Sequence, residues 1–189
     1  GQGQFRYASL GAIALHEKDP DIMYVGLGEP QLRQSASWGD GVYKTTDGGV
    51  HWEPIFDDQP VQSIGALAVS PSDPNVVWAG TGEGKIRSHI SSGEGIYKST
   101  DGADTWMPAN GDNGLMSGRP IASLLIDPLD ENQVYVATED GVFQTFDGGA
   151  NWSDMSAGLD VPDVRVLLRL VRDRQLLRLA AQHFHHGTS

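Results

Sequence analysis

Short apolar runs, separated by turn-forming residues, occur in the same order three times along the chain. The runs are rich in Val, Ile, Leu, Tyr and Trp, and Asp-Pro or Asp-Gly pairs stand between them. Runs of this length between turn formers predict β-strands joined by tight antiparallel turns. The predicted strands are Leu10–Leu15, Ile22–Gly26, Gly41–Thr45, His51–Ile55, Ser63–Val69, Val76–Gly80, Gly95–Ser99, Thr105–Pro108, Ile121–Ile126, Gln133–Ala137, Gly141–Thr145 and Asn151–Met155.

The three groups of four strands are copies of one another. A shift of 54 residues carries Tyr24 to Trp78 and Trp52 to Trp106, and Trp152 follows 46 residues later because one loop of the third copy is shorter. Four strands in a unit of about 40–55 residues predict one blade of a β-propeller. The predicted fold is therefore all-β, with three complete blades of four antiparallel strands within residues 1–163, at about 8–57, 61–109 and 119–160.

The turn between the third and fourth strands has a specific sequence in each copy. It runs over Thr45–Trp52, Ser99–Trp106 and Thr145–Trp152, and each version has Ser or Thr, then Asp-Gly, then Trp. This pattern resembles the Asp-box, or BNR repeat, of sialidases, some xyloglucanases, sortilin-type receptors and a photosystem II assembly factor. The resemblance extends over roughly residues 8–160, and it implies a β-propeller of which this chain is a part.

We interpret the residues of these turns as structural. Each Asp carboxylate can accept N–H bonds within its own turn, the glycine permits a positive φ, and the Trp covers the turn with a large apolar ring. We expect Ala103, which replaces a glycine, to bend or strain the second turn. The residues with this structural role are Asp47, Trp52, Asp101, Trp106, Asp147 and Trp152.

Composition and charge narrow the classes of function. The chain has 189 residues, no cysteine and a net charge of −12. The lack of cysteine excludes disulfides and thiolate metal sites. An acidic protein repels phosphate, and we therefore expect no nucleic-acid partner and no membrane partner. No metal or other cofactor is predicted.

The C-terminal segment 164–189 is basic and differs from the rest of the chain. It contains five arginines and one acidic residue. Three interpretations are open: a partial fourth blade, a helix with Arg165, Arg169 and Arg172 on one face, or a segment that is not native sequence. Three blades are too few to close a ring, since propellers typically have four to eight. We therefore expect self-association to complete the propeller.

Candidate ligand contacts lie in the loops between the second and third strands and in one loop between copies. In propellers these loops form the face opposite the Asp-boxes, as the resemblance implies, and binding residues concentrate in loops on a rigid scaffold. The alternative is that the acids and arginines of each loop form ion pairs that only hold the loop in place. The candidate residues are Glu29, Arg33, Trp38, Glu83, Arg87, His89 and Asp112.

The predicted function is a non-catalytic recognition or scaffold module with a carbohydrate or protein ligand. The alternative is a glycoside hydrolase or part of one, xyloglucanase-like in the first place and sialidase-like in the second. An inverting xyloglucanase-like enzyme needs two opposed carboxylates about 6.5–9.5 Å apart, and Glu29, Glu83 and Asp112 are the candidates. No motif selects a catalytic pair among them. The family resemblance favours a secreted or extracytoplasmic location.

Overall fold

The computed structural model describes residues 10–28, 40–82 and 93–156, and these residues form β-strands and no helix. The strands make three antiparallel four-stranded sheets, in which neighbours in sequence are neighbours in space. The predicted all-β class of four-stranded antiparallel units is therefore confirmed. Sheet 1 contains β1 (Leu10–Leu15), β2 (Met23–Leu27), β3 (Val42–Thr45) and β4 (Glu53–Pro54); sheet 2 contains β5 (Ile64–Val69), β6 (Val77–Thr81), β7 (Ile96–Ser99) and β8 (Met107–Pro108); sheet 3 contains β9 (Ile121–Asp127), β10 (Asp130–Thr138), β11 (Gly141–Thr145) and β12 (Ser153–Asp154).

The interpretations of the segment 164–189 concern residues outside those described, and they stay predictions. The same holds for the beginning of the first predicted unit and for the end of the third, because residues 1–9 and 157–163 are not described either.

The outer strand of each sheet is shorter than its sequence pattern predicts. β4, β8 and β12 have two residues each. One further hydrogen bond follows, in which the N–H of Ile55, Ala109 or Met155 donates to the third strand before the chain leaves the sheet. In sheets 1 and 2 the preceding residue is Pro54 or Pro108, whose backbone faces away from the third strand. A proline at this edge gives a neighbouring chain no N–H with which to pair.

Two apolar cores join the sheets, one between sheets 1 and 2 and the other between sheets 2 and 3. In the first core Phe56 packs edge-on against Tyr97 and Trp106, with ring centroids 5.3 and 5.2 Å apart. In the second core Trp78 and Trp152 meet edge-on at 6.4 Å. Edge-to-face pairs of this kind stabilise a core beyond the area that they bury.

The inner strands approach each other so closely that two glycines face each incoming isoleucine. Ile64 of sheet 2 lies on Gly11 and Gly26 of sheet 1. A Cβ added at Gly11 would be 2.2 Å from the Ile64 carbonyl oxygen, and one added at Gly26 would be 2.5 Å from Ile64 Cγ2. We call this pair of positions a two-glycine socket. The interface between sheets 2 and 3 repeats it with Gly65, Gly80 and Ile121.

Candidate functional site

The turns between the third and fourth strands contain the same hydrogen-bonded ring in all three sheets. In the first turn Thr45 Oγ1 donates to Asp47 Oδ1 (2.8 Å), the Gly49 N–H donates to Thr45 Oγ1 (3.0 Å), and the His51 N–H donates to Asp47 Oδ1 (2.9 Å). The same bonds recur around Asp101 and around Asp147. We call these segments acid–glycine turns 1, 2 and 3; they span Thr45–Trp52, Ser99–Trp106 and Thr145–Trp152.

The carboxylates of these turns are held in their charged form. In turns 2 and 3 hydrogen bonds from the side chain, and then from the N–H, of the residue four positions later lower the pKa of Asp101 and of Asp147 to about 2. The pKa of Asp47 is also lowered, first by the His51 N–H and then by the His51 ring. Carboxylates with such low pKa values are poor proton donors near neutral pH. This geometry favours a structural role for the three acids over a catalytic one.

Two of the turn tryptophans connect neighbouring sheets. The Trp106 indole N–H donates to the carbonyl of Ile55, and the Trp152 indole N–H donates to the carbonyl of Ala109, both at 2.8 Å. Each acceptor lies at the end of the outer strand of the preceding sheet. Trp52 instead donates to the carbonyl of Gly49 within its own turn, at 3.2 Å. The indoles of turns 2 and 3 therefore link each sheet to the preceding one, in addition to covering their own turns.

Acid–glycine turn 2 holds a non-glycine residue in the left-handed region. Ala103 has a φ of +73° and is fully buried, whereas Gly149 occupies the same place in turn 3 with a φ of +92°. Tyr24 in the first interface stands where Trp78 stands in the second. Because the Trp78 ring comes within 3.1 Å of a Cβ built on Gly149, the smaller tyrosine leaves the space that the Ala103 methyl group fills.

A groove of about 420 Å³ opens between sheet 2 and acid–glycine turn 3. One wall is β8 with the loop that follows it, and the other is the turn backbone from Gly148 to Ala150. Asp112 reaches the groove because its N–H donates to the carbonyl of Ala150 (2.8 Å), which folds the loop back onto turn 3. The polar side chains on the walls belong to Lys98, Thr100, Thr105, Asn110 and Asp112.

Lys98 lies where this groove meets the core. Its Nζ is 5.1 Å from the centroid of the Trp78 ring, which is a favourable position for a cation, and burial lowers the pKa of Lys98. Lys44 holds the equivalent place in sheet 1, and its Nζ donates to the carbonyl of Gly102 in turn 2 (2.7 Å). Both lysines thus face the acid–glycine turn of the following sheet. Because Lys44 and Lys98 hold equivalent positions, the burial of Lys98 follows from its place in the sheet.

A carboxylate stands just before the third strand in every sheet. Asp40, Glu94 and Asp140 each precede a glycine with a positive φ, and we call them the strand-start carboxylates. Because they hold equivalent positions in similar sheets, they lie at the same end of the three sheets. Asp40 is buried and accepts a hydrogen bond from the Tyr43 hydroxyl. Asp140 accepts one from the Arg119 guanidinium (2.5 Å), and both Asp140 and Glu94 are exposed.

The structure describes one of the seven candidate contacts that the sequence suggested. Asp112 is exposed and lies against acid–glycine turn 3. Sequence reasoning did not select Glu94 or Asp140 as site residues, although the acid–glycine pair before each third strand is visible once the copies are aligned. The candidates outside the described residues are Glu29, Arg33, Trp38, Glu83, Arg87 and His89.

In the part of the chain that comprises residues 10–28, 40–82 and 93–156, no three His, Asp or Glu side chains converge on a common position for a metal ion. Nor does it contain a helix with the length and hydropathy needed to cross a lipid bilayer.

The curated proteins similar to this chain in sequence include xyloglucanases, and no protein-family model matches the chain. A probable oligoxyloglucan-reducing end-specific xyloglucanase of Neosartorya fischeri is 27% identical in an alignment 154 residues long that covers 76% of this chain and 17% of that protein. A xyloglucanase of a Paenibacillus species is 29% identical in an alignment 128 residues long that covers 62% of this chain and 12% of that protein. The chain therefore spans less than a fifth of the length of either relative.

A solved enzyme shares the arrangement of the three sheets. The structure of an ancestral GH74 enzyme aligns with 82% of this chain and 19% of its own, with a TM-score of 0.58 and 21% identity. At this level of identity the likeness concerns the fold alone. The three sheets have the architecture of β-propeller blades, as the sequence predicted.

Proposed function

We propose that the chain supplies three blades of a β-propeller glycoside hydrolase of the xyloglucanase type, and that its ligand is a xyloglucan chain. The observation that carries this proposal is the sequence similarity to two xyloglucanases over 76% and 62% of this chain. It favours the hydrolase alternative over the non-catalytic recognition module that the sequence alone predicted first. Because the chain spans a small part of those relatives, the activity of the whole protein belongs to the proposal.

The strand-start carboxylates are the described groups that best suit contact with a glucan. Carboxyl groups act as acid, base or nucleophile in glycoside hydrolysis, and carboxylate oxygens accept hydrogen bonds from sugar hydroxyls. Asp140 and Glu94 are both exposed, but Asp40 and Asp140 already accept hydrogen bonds from a tyrosine and an arginine, and in the described part of the chain no such bond reaches the Glu94 carboxylate. Glu94 also lies in the same predicted loop as Glu83, between the second and third strands of the second copy. We therefore assign Glu94 as the described carboxylate that contacts the sugar, with Glu83 or Glu29 as the opposing one.

The test measures both turnover and binding with xyloglucan oligosaccharides. Reducing ends released by the wild type are compared with those released by Glu94→Gln, Glu83→Gln and Glu29→Gln. Loss of a catalytic acid or base lowers kcat by about 100-fold or more. Glu53→Gln is the matched control, because Glu53 is exposed on the outer strand β4 and should leave turnover unchanged.

Calorimetric titration with the same oligosaccharides separates the two functions. Binding without turnover in any preparation would support the recognition module and overturn the hydrolase. Absence of both binding and turnover would overturn the carbohydrate ligand altogether.

We also propose that the acid–glycine turns are Asp-boxes in the sense of the BNR repeat. The proposal is supported by the Ser or Thr, Asp and Trp positions that the three turns share and by the recurring bonds to each Asp carboxylate. In this assignment the boxes are structural elements of the blades and take no part in hydrolysis.

A further inference from the structure

Sheet 1 has an apolar face on the side away from sheet 2. Leu10, Ile13 and Leu15 of β1 are 55%, 63% and 61% exposed. By strand register, Leu10 corresponds to Ile64 in β5 and Ile13 corresponds to Leu67. Those two residues are only 1% and 9% exposed, because they pack against sheet 1. The β1 face is therefore built like a face that packs against a preceding sheet.

The third sheet repeats this burial. Ile121 of β9 corresponds to Leu10 and is fully buried, and Leu124, which corresponds to Ile13, packs on the same core between sheets 2 and 3. The position of Leu10 is therefore an interface position in both sheets that have a described predecessor. Exposed large apolar side chains that recur in such a pattern mark an interaction surface.

Each described face of this type packs against a two-glycine socket. The socket is needed because the backbones approach too closely for a Cβ, which would lie 2.2 to 2.5 Å from the incoming isoleucine at Gly11, Gly26, Gly65 and Gly80. A sheet that receives Leu10 in the same register must therefore lack a Cβ at both socket positions. The need for two positions without a Cβ excludes more candidate partner sheets than the need for an apolar surface does.

Sheet 3 has no such socket. Ala122 and Ala137 stand at the positions of Gly65 and Gly80, and Ala137 is fully buried. A second copy of this chain that offered sheet 3 to the β1 face would place methyl groups where the two described interfaces have none. The sequence-based hypothesis of closure by self-association is untested, and this geometry argues against its simplest form.

We propose that Leu10, Ile13 and Leu15 form a docking surface for a further four-stranded antiparallel sheet that carries a two-glycine socket. The occupant is neither sheet 3 of a second copy nor a lipid surface. The argument is the continuity with two interfaces of the same construction within the chain. The proposal concerns assembly only, and its test reads no hydrolase activity, so that either proposal can fail without the other.

A unique thiol reports whether the surface is covered. The chain contains no cysteine, so Ile13→Cys introduces a single site for maleimide labelling. The probe is a tandem chain in which a copy of residues 58–120, which contains sheet 2 and its socket, is joined in front of residue 10. We expect labelling of Cys at position 13 to slow by roughly tenfold, in line with the fall from 63% exposure at Ile13 to 9% at Leu67.

Two controls isolate the socket. The same tandem with alanine in place of both socket glycines of the added copy should label as fast as the single chain. Leu10→Asp in the glycine tandem should also restore fast labelling, and because Leu10 is 55% exposed in the single chain this change should not prevent folding. Circular dichroism checks the fold of each protein.

Three results would overturn the proposal. One is equal labelling rates for the glycine tandem and the single chain. Another is a glycine tandem whose thiol is protected and stays protected after Leu10→Asp. The third is a single chain that light scattering shows to be a dimer, with its thiol already protected, because a second copy would then occupy the surface.

Discussion

Replacing Gly149 by alanine should destabilise the protein more than the same change at the equivalent Gly49. The two glycines have φ values of +92° and +91°, so alanine incurs a similar conformational cost of about 1–2 kcal/mol at each position. At Gly149 the new Cβ would also lie 2.9 Å from Ala109 Cβ and 3.1 Å from Trp78 Cη2, whereas at Gly49 its nearest neighbour would be Met23 Cε at 3.5 Å. Overpacking adds about 1–3 kcal/mol at Gly149 only.

Urea unfolding, followed by tryptophan fluorescence, measures the two changes. We expect the free energy of unfolding to fall by about 2–4 kcal/mol for Gly149→Ala and by about 1–2 kcal/mol for Gly49→Ala. The reverse change, Ala103→Gly, should shift it by less than about 1 kcal/mol, because relief of the positive φ is offset by loss of a buried methyl group. Equal losses at positions 149 and 49 would refute the packing argument.

A double variant tests the source of the crowding. Trp78→Tyr gives the second interface the ring that Tyr24 provides in the first, where an alanine is tolerated. If the indole is what excludes a methyl group, Gly149→Ala should cost less in the Trp78→Tyr background, with an interaction energy of about 0.5–3 kcal/mol. Strict additivity of the two changes would show that the positive φ alone sets the cost.

Two further predictions follow from the acid–glycine turns. The pKa values of Asp101 and Asp147 are lowered to about 2 from 3.8, so their contribution to stability is complete above about pH 4 and is lost as the pH falls towards about 2. The thermal midpoint of the wild type should therefore drop more steeply between about pH 4 and about pH 2 than that of an Asp101→Asn/Asp147→Asn variant. Parallel curves for the two proteins would contradict the structural assignment of these carboxylates. Trp106→Phe should lower the free energy of unfolding by about 1–3 kcal/mol, because the Ile55 carbonyl in the neighbouring sheet loses its donor. Trp52→Phe removes a hydrogen bond within its own turn and should cost less when both variants are compared by urea unfolding.

The strands were predictable because local turn chemistry marks their ends. Asp-Pro and Asp-Gly pairs recur at a fixed spacing, and β1 has the bounds that the pattern predicts. β10 begins earlier than expected, at Asp130, because this residue pairs with Asp127 across a tight turn. The outer strands begin two residues later than predicted, because the N–H groups of His51, Thr105 and Asn151 still bond to the Asp carboxylates of the acid–glycine turns. Local patterns indicate where a strand forms, and the hydrogen bonds of the preceding turn decide where it begins.

The candidate site was less predictable because it depends on the paths of loops. Asp112 follows Gly111, whose φ of +82° helps to turn the chain back towards Ala150 in turn 3. Nothing in the local sequence states that this reversal brings the acid to the groove beside sheet 2. Glu94 could have been selected, because its place before a third strand matches those of Asp40 and Asp140. The recurrence of an acid before each third strand is visible only when the copies are aligned, and its meaning depends on these acids lying at the same end of their sheets.

The alanines of sheet 3 show why near-identical copies are not interchangeable. In the aligned sequence, glycine at positions 26 and 80 and alanine at position 137 look like a conservative exchange. The spacing of the sheets makes it decisive, because a Cβ at Gly80 would lie 2.4 Å from Ile121 Cγ2. Sheets 1 and 2 each accept a following sheet that presents isoleucine, whereas a sheet that follows sheet 3 must leave room for the methyl groups of Ala122 and Ala137. The order in which such sheets can stack is therefore determined by single methyl groups on the inner strands, which neither hydrophobic pattern nor turn sequence reports.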